Sequence, residues 1–289
     1  ILSGLVGSEM CIRDSINNKD VTLNVESRLL LVDLLRNNLE LKGTHIGCDT
    51  SQCGSCMVMI DGKCIKSCSI LAVQCNKKSI KTIELSNEIG GRFSIFSNNS
   101  LIPSFYFNKD LCTEFLNGGR KALEDKDQIK NMAEEDFKRI KNGKNIFAYL
   151  IYGDELIEIG NWRKQLYAES LGKKAKGVLP VVSEMPKDQH SLLQLYLDGP
   201  KNIFFEIMGM EYSKMNLINI ALSNHLDAMS KSLSKINENT NKYIFKDKDM
   251  SKIGHFFGSE MLRVIYLAEL LEVDPFTQDA VDIQKGYLN

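Results

Sequence analysis

The first third of the chain shows the short alternating patterns of a small, strand-rich unit. Apolar and polar residues alternate along residues 21–25 and again along residues 79–85, as they do in half-buried strands. Leucines recur at helical spacing along residues 29–39. Two short apolar runs flank Asp61-Gly62, a dipeptide that favours the tight turn of a β-hairpin. The pattern predicts a strand, a helix, a hairpin and a closing strand, which together make a small β-grasp unit.

From residue 86 onward the pattern changes to that of a larger α/β domain. Residues 145–152 (NIFAYLIY) form a continuous apolar run, as expected for a buried strand of a parallel sheet. Further strands are predicted at residues 178–182 and 202–208. Helices are predicted at residues 110–124, 128–142, 154–171, 188–196, 215–237 and 251–271. Strands that alternate with helices favour a parallel sheet flanked by helices.

Composition and charge exclude some classes of partner. The net charge is −1, so no overall electrostatic attraction indicates nucleic acid or an acidic membrane. No apolar run is long enough to span a bilayer. Of the eight cysteines, four follow a motif and the others form no framework, which favours a reducing compartment over secretion. We therefore expect a cytoplasmic protein with no nucleic-acid and no membrane partner.

Four cysteines carry the candidate chemistry of the first third. Cys48, Cys53, Cys56 and Cys68 are spaced C-x4-C-x2-C-x11-C, the plant-type [2Fe–2S] pattern. A zinc knuckle and a disulfide pair are the alternatives, but zinc sites favour two C-x2-C pairs and only one is present. Cys64 lies between the last two ligands and is interpreted as a hairpin residue. The spacing predicts a [2Fe–2S] cluster held by the four cysteines.

Residues from about 16 to 84 resemble the N-terminal ferredoxin-like domain of the small subunit of molybdenum hydroxylases. The resemblance rests on GCDTSQCGSC, on the following Lys66-Ser-Cys68, and on Lys81-Thr-Ile-Glu84. In that family the domain passes electrons between the molybdenum subunit and a flavin. A helical bundle follows it there with C-x2-C and C-x-C motifs, and neither motif occurs after Cys75.

Four separate motifs after residue 86 resemble the glucose-6-phosphate isomerase family, in the family's order. They are GGRFSIFS (90–97), WRKQLYAESLGK (162–173), PKDQHSLLQLYLDGP (186–200) and DPFTQDAVDIQK (274–285). The resemblance implies a sugar-isomerase (SIS-like) fold over residues 86–289. It also implies interconversion of glucose 6-phosphate and fructose 6-phosphate without a cofactor, and a homodimer.

The resemblance assigns roles to residues that are ambiguous by themselves. Glu169 is implied as the base that moves a proton between C1 and C2, and Arg92 as the group that stabilises the enediolate. His190 and Lys285 are implied in ring opening, with the histidine supplied by the neighbouring subunit, and Gln278 in substrate binding. Taken alone, each would be read as a surface charge or a helix-end residue. We expect Arg92, Glu169 and Lys285 to meet at the carboxyl edge of the sheet, with His190 apart from them.

The first resemblance ends and the second begins near residue 85, and each family is truncated at that point. This double truncation indicates a chimeric chain. Residues 1–15 contain GSEMCIRDS, which resembles the translation of sequencing-adapter DNA, so they are left out of the predicted fold as an artefactual tag. The predicted domains are then residues 16–84 and 86–289. The first isomerase domain of the family, with its Ser/Thr-rich phosphate loop, has no counterpart in this sequence. There are two alternatives: a functional isomerase in which the cluster domain is structural or regulatory, and an electron-transfer protein whose C-terminal region is only a scaffold.

Overall fold

The computed structural model describes residues 9–47, 49–51, 54–82, 89–214, 216–236 and 240–280. The chain divides into two compact units, Ile1–Pro103 and Ser104–Asn289. This division falls later along the chain than the boundary near residue 85 that the two resemblances indicate. No helix among the described residues is long and apolar enough to cross a membrane.

The first unit is a five-stranded mixed sheet with one helical segment. Its elements are β1 (Glu9–Ile16), β2 (Lys19–Glu26), α1 (Leu31–Asp33, continued by a wider turn over Leu34–Asn38), β3 (Met57–Ile60), β4 (Lys63–Lys66) and β5 (Ser79–Lys81). The strand order is β2-β1-β5-β3-β4, with β1 parallel to β5 and the other neighbours antiparallel. Asp61 and Gly62 have φ of 48° and 79°, as a type I′ hairpin turn requires. The predicted β-grasp arrangement is confirmed.

The leucine stripe of α1 supplies the core of this unit. Leu31, Leu34 and Leu35 are completely buried and pack in one cluster with Ile60 and Ile80 of the sheet. Their spacing of three and four residues places them on one face of the helical segment. The same stripe was the signal that predicted the helix.

The first strand departs from the sequence analysis. Residues 9–15, which were left out of the predicted fold, form most of β1 and pair along their whole length with β2. Ile12 and Ile16 face the core and are almost completely buried, as is Asp14 between them. Burial of every second residue is the pattern of a strand with one face on the core. β1 has this pattern and pairs with β2 on one side and β5 on the other.

The second unit contains a four-stranded parallel sheet flanked by helices. Its elements are α2 (Asn98–Phe107, which begins in the first unit), α3 (Lys109–Lys121), α4 (Lys126–Lys141), β6 (Ile146–Tyr152), α5 (Ile157–Leu171), β7 (Leu179–Met185), α6 (Lys187–Asp198), β8 (Ile203–Glu211), α7 (Leu217–Lys235), β9 (Asn241–Lys246) and α8 (Met250–Leu270). The strand order is β7-β6-β8-β9. The predicted parallel sheet and its helices are confirmed.

Two elements of this unit were not predicted. α2 contains Pro103, and proline inside a segment argues against a helix. β9 is an edge strand in which Phe245 alone is fully buried, so its sequence, NKYIFK, lacks the apolar run of its neighbours.

Helices cover both faces of the sheet. α6 and α7 pack on one face, where Leu226 and Met229 join Leu150 of β6 in one apolar cluster. α5 lies on the opposite face, and α8 packs against α3, α4 and α5. The crossing of α3 and α8 is very close, because a Cβ at Gly118 would lie 1.9 Å from the carbonyl oxygen of Ser251.

Candidate active site and candidate cluster site

Glu169 lies in the last turn of α5, half-buried, where Gln165 Nε2 donates a hydrogen bond of 3.0 Å to its Oε1. A helix that connects parallel strands runs antiparallel to them. α5 leaves the carboxyl end of β6 and returns to the amino end of β7, which begins at Leu179. Glu169 is therefore at the amino edge of the sheet. The expectation that it lies at the carboxyl edge was wrong. Ligand sites at the carboxyl edge are formed by loops that follow strands, whereas Glu169 lies in the helix end that comes before strand β7.

Three lysines tie the loop after Glu169 to the segment that follows α8. Their Nζ atoms donate to backbone carbonyls: Lys173 to Asp274, Lys174 to Glu272 at 3.3 Å and Lys176 to Leu271 at 2.8 Å. Cations at the end of a helix satisfy its last carbonyls and oppose the negative end of its dipole. The segment that carries Gln278 is thus attached to the loop that carries the end of the Glu169 motif.

Five fully buried charged side chains lie between α5 and the elements behind it. They are Asp136 on α4, Arg163 on α5, Glu206 on β8, and Glu260 and Arg263 on α8. Arg263 holds Asp136 through two hydrogen bonds of 2.6 and 2.8 Å and also binds both glutamates at 3.1 Å. Arg139 adds a third cation, 2.7 Å from Asp136. Three cations therefore balance three anions, as buried charges require.

This buried charge network holds α5 in place ahead of Glu169. Arg163 Nε donates to Glu260 Oε2 at 2.5 Å, and the hydroxyl of Tyr167 donates to the same oxygen at 3.0 Å. Arg163 also pairs with Glu206. Burial alone would raise the pKa of Glu206, but Arg163 and Arg263 outweigh burial and lower it to about 2.

This network was not predicted from the sequence, although one signal was present. Glu206 interrupts the apolar run of β8 (IFFEIMG), and a carboxylate inside a buried strand needs a buried cation as its partner. The two cations that pair with Glu206 lie on α5 and α8, so nothing in the local sequence identifies them.

His190 lies at the other edge of the sheet. It is exposed in the first turn of α6, which starts just after β7 ends at Met185. A seven-residue strand is about 20 Å long, so roughly that distance separates its edge from the edge of Glu169. His190 borders a shallow cavity together with His225 and Leu193. The structure does not bring His190 and Glu169 together within one chain.

The other two predicted catalytic residues lie outside this unit or outside the described residues. Arg92 belongs to the first unit, in the helical turn Gly91–Phe96, and its side chain is 2% exposed. Its guanidinium carbon is 5.4 Å from the ring centroid of Phe93. Arg92 is therefore buried and is not the exposed surface charge that its local sequence alone would indicate. Lys285 lies outside the described residues.

The cluster loop of the first unit presents two thiols side by side. Cys56 and Cys68 are buried and pack with Val32. The Ser67 hydroxyl and amide both donate to the carbonyl of Cys56, at 2.6 and 3.1 Å. Burial works against a thiolate at Cys68, but hydrogen bonds with Cys56 and Ser51 outweigh it and lower the pKa of Cys68.

The backbone around these thiols curls as a cluster-binding loop does. Asp49, Ser51 and Gly54 all have positive φ, between 54° and 77°. Such left-handed residues turn successive amides toward one centre. Adjacent buried thiols inside a curled loop fit a thiolate-ligated cluster. Cys48 and Cys53 lie outside the described residues, and the described ranges contain no group of three or more metal-ligating side chains. Cys64 is exposed on β4.

Comparisons with known proteins assign the two parts separately. Residues 14–78 match the family Fer2, the 2Fe-2S iron-sulfur cluster binding domain. The beta subunit of the 6-hydroxypseudooxynicotine dehydrogenase complex of Paenarthrobacter nicotinovorans is 46% identical over 69 residues, covering 24% of this chain and 43% of that subunit. The N-terminal part therefore has the ferredoxin-like fold and is similar in sequence to 2Fe-2S cluster binding domains.

The larger part is similar to sugar isomerases. Glucose-6-phosphate isomerase of Mycoplasma capricolum is 28% identical over 239 residues, which cover 72% of this chain and 55% of that enzyme. The crystal structure of a glucose-6-phosphate isomerase from Chlamydia trachomatis superposes with a TM-score of 0.62 at 16% identity, over 72% of this chain and 48% of that one. The C-terminal part therefore has the sugar-isomerase fold and is similar in sequence to glucose-6-phosphate isomerases. The chain spans between about a third and a little over half of the length of the isomerases it matches.

Proposed function

We propose that the C-terminal part carries the catalytic residues of a glucose-6-phosphate isomerase, with Glu169 as the base. The observation that supports this most is the attachment of the loop after Glu169 to the segment that carries Gln278, through Lys173 and its two neighbours. A proton-transfer base has to be held within hydrogen-bond reach of both carbons it serves. A half-buried carboxylate at the end of a helix that is anchored by buried charges meets that need.

In the proposed reaction the Glu169 carboxylate takes the proton from C2 of the open-chain sugar phosphate. Arg92 stabilises the negative charge of the enediolate with fixed donors. The protonated Glu169, which can exchange its proton with water, then gives a proton to C1 while the hydroxyl proton moves from O2 to O1. Lys285 and His190 act on O1 and O5 in ring opening, and Gln278 binds the sugar. The isomerisation is redox-neutral and uses no cofactor.

We propose that the active form is a homodimer in which His190 serves the partner's site. The separation of about 20 Å between the edges of the sheet that carry His190 and Glu169 supports this arrangement. His190 is also exposed, as a residue that reaches another chain has to be.

Residues 1–84 contain no Ser/Thr-rich loop that could replace the phosphate loop of the family, because Ser51, Ser55 and Ser67 belong to the cysteine framework. Binding of the phosphate orients the sugar for proton transfer. We therefore expect turnover of fructose 6-phosphate at or near background by the chain alone, and rescue by an N-terminal isomerase domain added in trans. Robust turnover by the chain alone that is lost in Glu169→Gln would contradict the need for that domain.

A second candidate function is electron transfer by the first unit. We propose that Cys48, Cys53, Cys56 and Cys68 hold a [2Fe–2S] cluster, which supplies one-electron transfer when bound. The adjacent thiols of Cys56 and Cys68 support it, and a reducing cytoplasm is the compartment that suits it. Anaerobic reconstitution of the full chain tests it. Cys56→Ser should abolish the visible absorption and two-iron stoichiometry, whereas Cys64→Ser should retain both. Loss of the cluster in Cys64→Ser would refute this ligand set.

A further inference from the structure

The carboxyl edge of the parallel sheet contains a topological switch point. The loop after β6 leads to α5, which packs on the Ile151 side of the sheet, where a Cβ at Gly160 would lie 2.1 Å from Ile151 Cδ1. The loop after β8 leads to α7, which packs on the opposite face with Leu150 and Tyr152. β6 and β8 are neighbours. A crevice therefore opens between their carboxyl ends, the place where ligands of open α/β sheets bind.

A cavity of about 200 Å³ lies at this place, beneath α7. Its walls include Tyr152, the last residue of β6, and Met210 and Glu211 at the end of β8. The side chain of Tyr152 is 1% exposed, yet its hydroxyl has no hydrogen-bond partner among the described residues. Burial raises the pKa of Tyr152, so the hydroxyl keeps its proton at neutral pH. A buried hydroxyl without a partner destabilises the folded protein by about 1–3 kcal/mol unless a molecule in the cavity forms a hydrogen bond with it.

Gly153 follows Tyr152 in the chain and lies against Tyr212, which lines the cavity. Gly153 has φ of 127°, and a Cβ there would lie 2.9 Å from Glu155 Oε2 and 3.0 Å from the Tyr212 hydroxyl. Burial, the charge of Glu155 and a hydrogen bond with it all raise the pKa of Tyr212. The hydrogen bond with Glu155 and the close Gly153 backbone therefore hold Tyr212 in the cavity wall, near the unpartnered hydroxyl of Tyr152.

The charges of the cavity indicate what it can hold. Glu211 and Asp227 outnumber Lys242 among the lining residues, and Lys242 Nζ is already 3.7 Å from Asp227. Glu211 pairs with Lys246, which is not among the lining residues, at 3.6 Å. Because the lysine of the lining already faces a carboxylate, the cavity disfavours phosphates and carboxylates. The remaining lining is apolar except for the hydroxyls of Tyr152, Tyr212 and Ser223. A cavity of about 150 Å³ holds one benzene, so about 200 Å³ holds roughly eight non-hydrogen atoms.

We propose that this cavity is a second ligand site, which takes a small uncharged polyol and hydrogen-bonds one of its hydroxyls to Tyr152. It lies at the carboxyl edge of the sheet and is separate from Glu169 at the amino edge. Its occupancy does not depend on isomerase activity.

Erythritol, an uncharged polyol with four hydroxyls, is the probe that tests the site. Titration of the ¹⁵N-labelled full chain should give saturable amide shifts at β6, β8 and α7. Tyr152→Phe removes only the hydroxyl and should weaken binding about fivefold, as expected for one hydrogen bond of about 1 kcal/mol. The matched control is Tyr106→Phe, since Tyr106 is 87% exposed on α2. It should bind as the unmodified chain does.

Two further experiments distinguish a ligand site from a cavity that holds only water. Ser223→Phe places a ring in the mouth from an exposed helix position and should abolish the shifts without touching the core. Erythronate, the carboxylate analogue, should bind more weakly than erythritol. Absence of saturable shifts would show that the cavity holds only water, and equal affinity in Tyr152→Phe or tighter binding of erythronate would likewise overturn the proposal.

Discussion

Removal of one cation from the buried charge network should destabilise the second unit severely. Arg263 makes two hydrogen bonds to Asp136 and contacts Glu206 and Glu260, and all four side chains are at most 1% exposed. Arg263→Met keeps most of the volume but leaves three buried carboxylates with fewer cations. Breaking a buried ion pair on one side costs about 3–5 kcal/mol. That is a large fraction of the about 5–15 kcal/mol typical of a folded domain.

The chain offers a clean probe for this prediction. Trp162 is the only tryptophan, it lies on α5, and its ring centroid is 4.3 Å from that of Phe257 on α8. Its fluorescence during urea unfolding therefore reports the second unit rather than the first. The matched control is Lys138→Met, which breaks an exposed pair with Glu135 and should leave the urea midpoint nearly unchanged.

A double substitution distinguishes the network from a simple packing defect. Asp136 is the carboxylate that loses two hydrogen bonds in Arg263→Met. Adding Asp136→Leu removes this carboxylate, so part of the lost stability should return. A loss for Arg263→Met no larger than that for Lys138→Met would refute the reasoning, because it would mean that the charges are hydrated in solution. A double variant less stable than the sum of the single variants would also contradict it.

Two further predictions follow from perturbed carboxyl groups. The folded-state pKa of Glu206 is lowered from 4.5 to about 2, so it contributes stability above pH 4.5 that is lost as the pH falls toward 2. Acid titration of Trp162 fluorescence should show this loss, and an unchanged stability between pH 5 and pH 2 would contradict it. Asp14 behaves in the opposite way, because burial raises its pKa and its Oδ2 has no partner among the described residues. Its charged form is therefore unfavourable at neutral pH. Asp14→Asn should stabilise the first unit at pH 7 and give no gain at pH 3, measured by amide hydrogen exchange in β1 and β2.

The elements of the fold were predictable wherever burial is regular along the sequence. The leucines of α1, the Asp61-Gly62 turn and the apolar run of β6 each carry their structure locally, and each prediction was confirmed. β9 was missed because an edge strand with one fully buried residue, Phe245, has no such pattern. Residues 9–15 were set aside because of their resemblance to adapter sequence, although Ile12 and Ile16 alternate as strand residues do.

The site was less predictable than the fold, since its geometry depends on connections between elements. The order of strands and helices determines which sheet edge a helix end reaches, so Glu169 was placed at the wrong edge from its motif alone. The lysine bonds to the segment after α8 join residues about a hundred positions apart. Arg163 is part of a motif that resembles the isomerases, but only the structure shows that it pairs with Glu206 and Glu260.

Deuterium uptake by the substrate tests the central claim, that Glu169 is the proton-transferring base of an isomerase, most directly. Fructose 6-phosphate in heavy water is incubated with the full chain and an N-terminal glucose-6-phosphate isomerase domain of a relative, and deuterium at C1 and C2 is followed by NMR. We expect uptake and glucose 6-phosphate formation in the mixture, reduced by about 10²–10⁴-fold in Glu169→Gln. Glu158→Gln, exposed in the first turn of the same helix, should leave both unchanged. Absence of exchange in the mixture, or equal exchange in Glu169→Gln, would contradict the account.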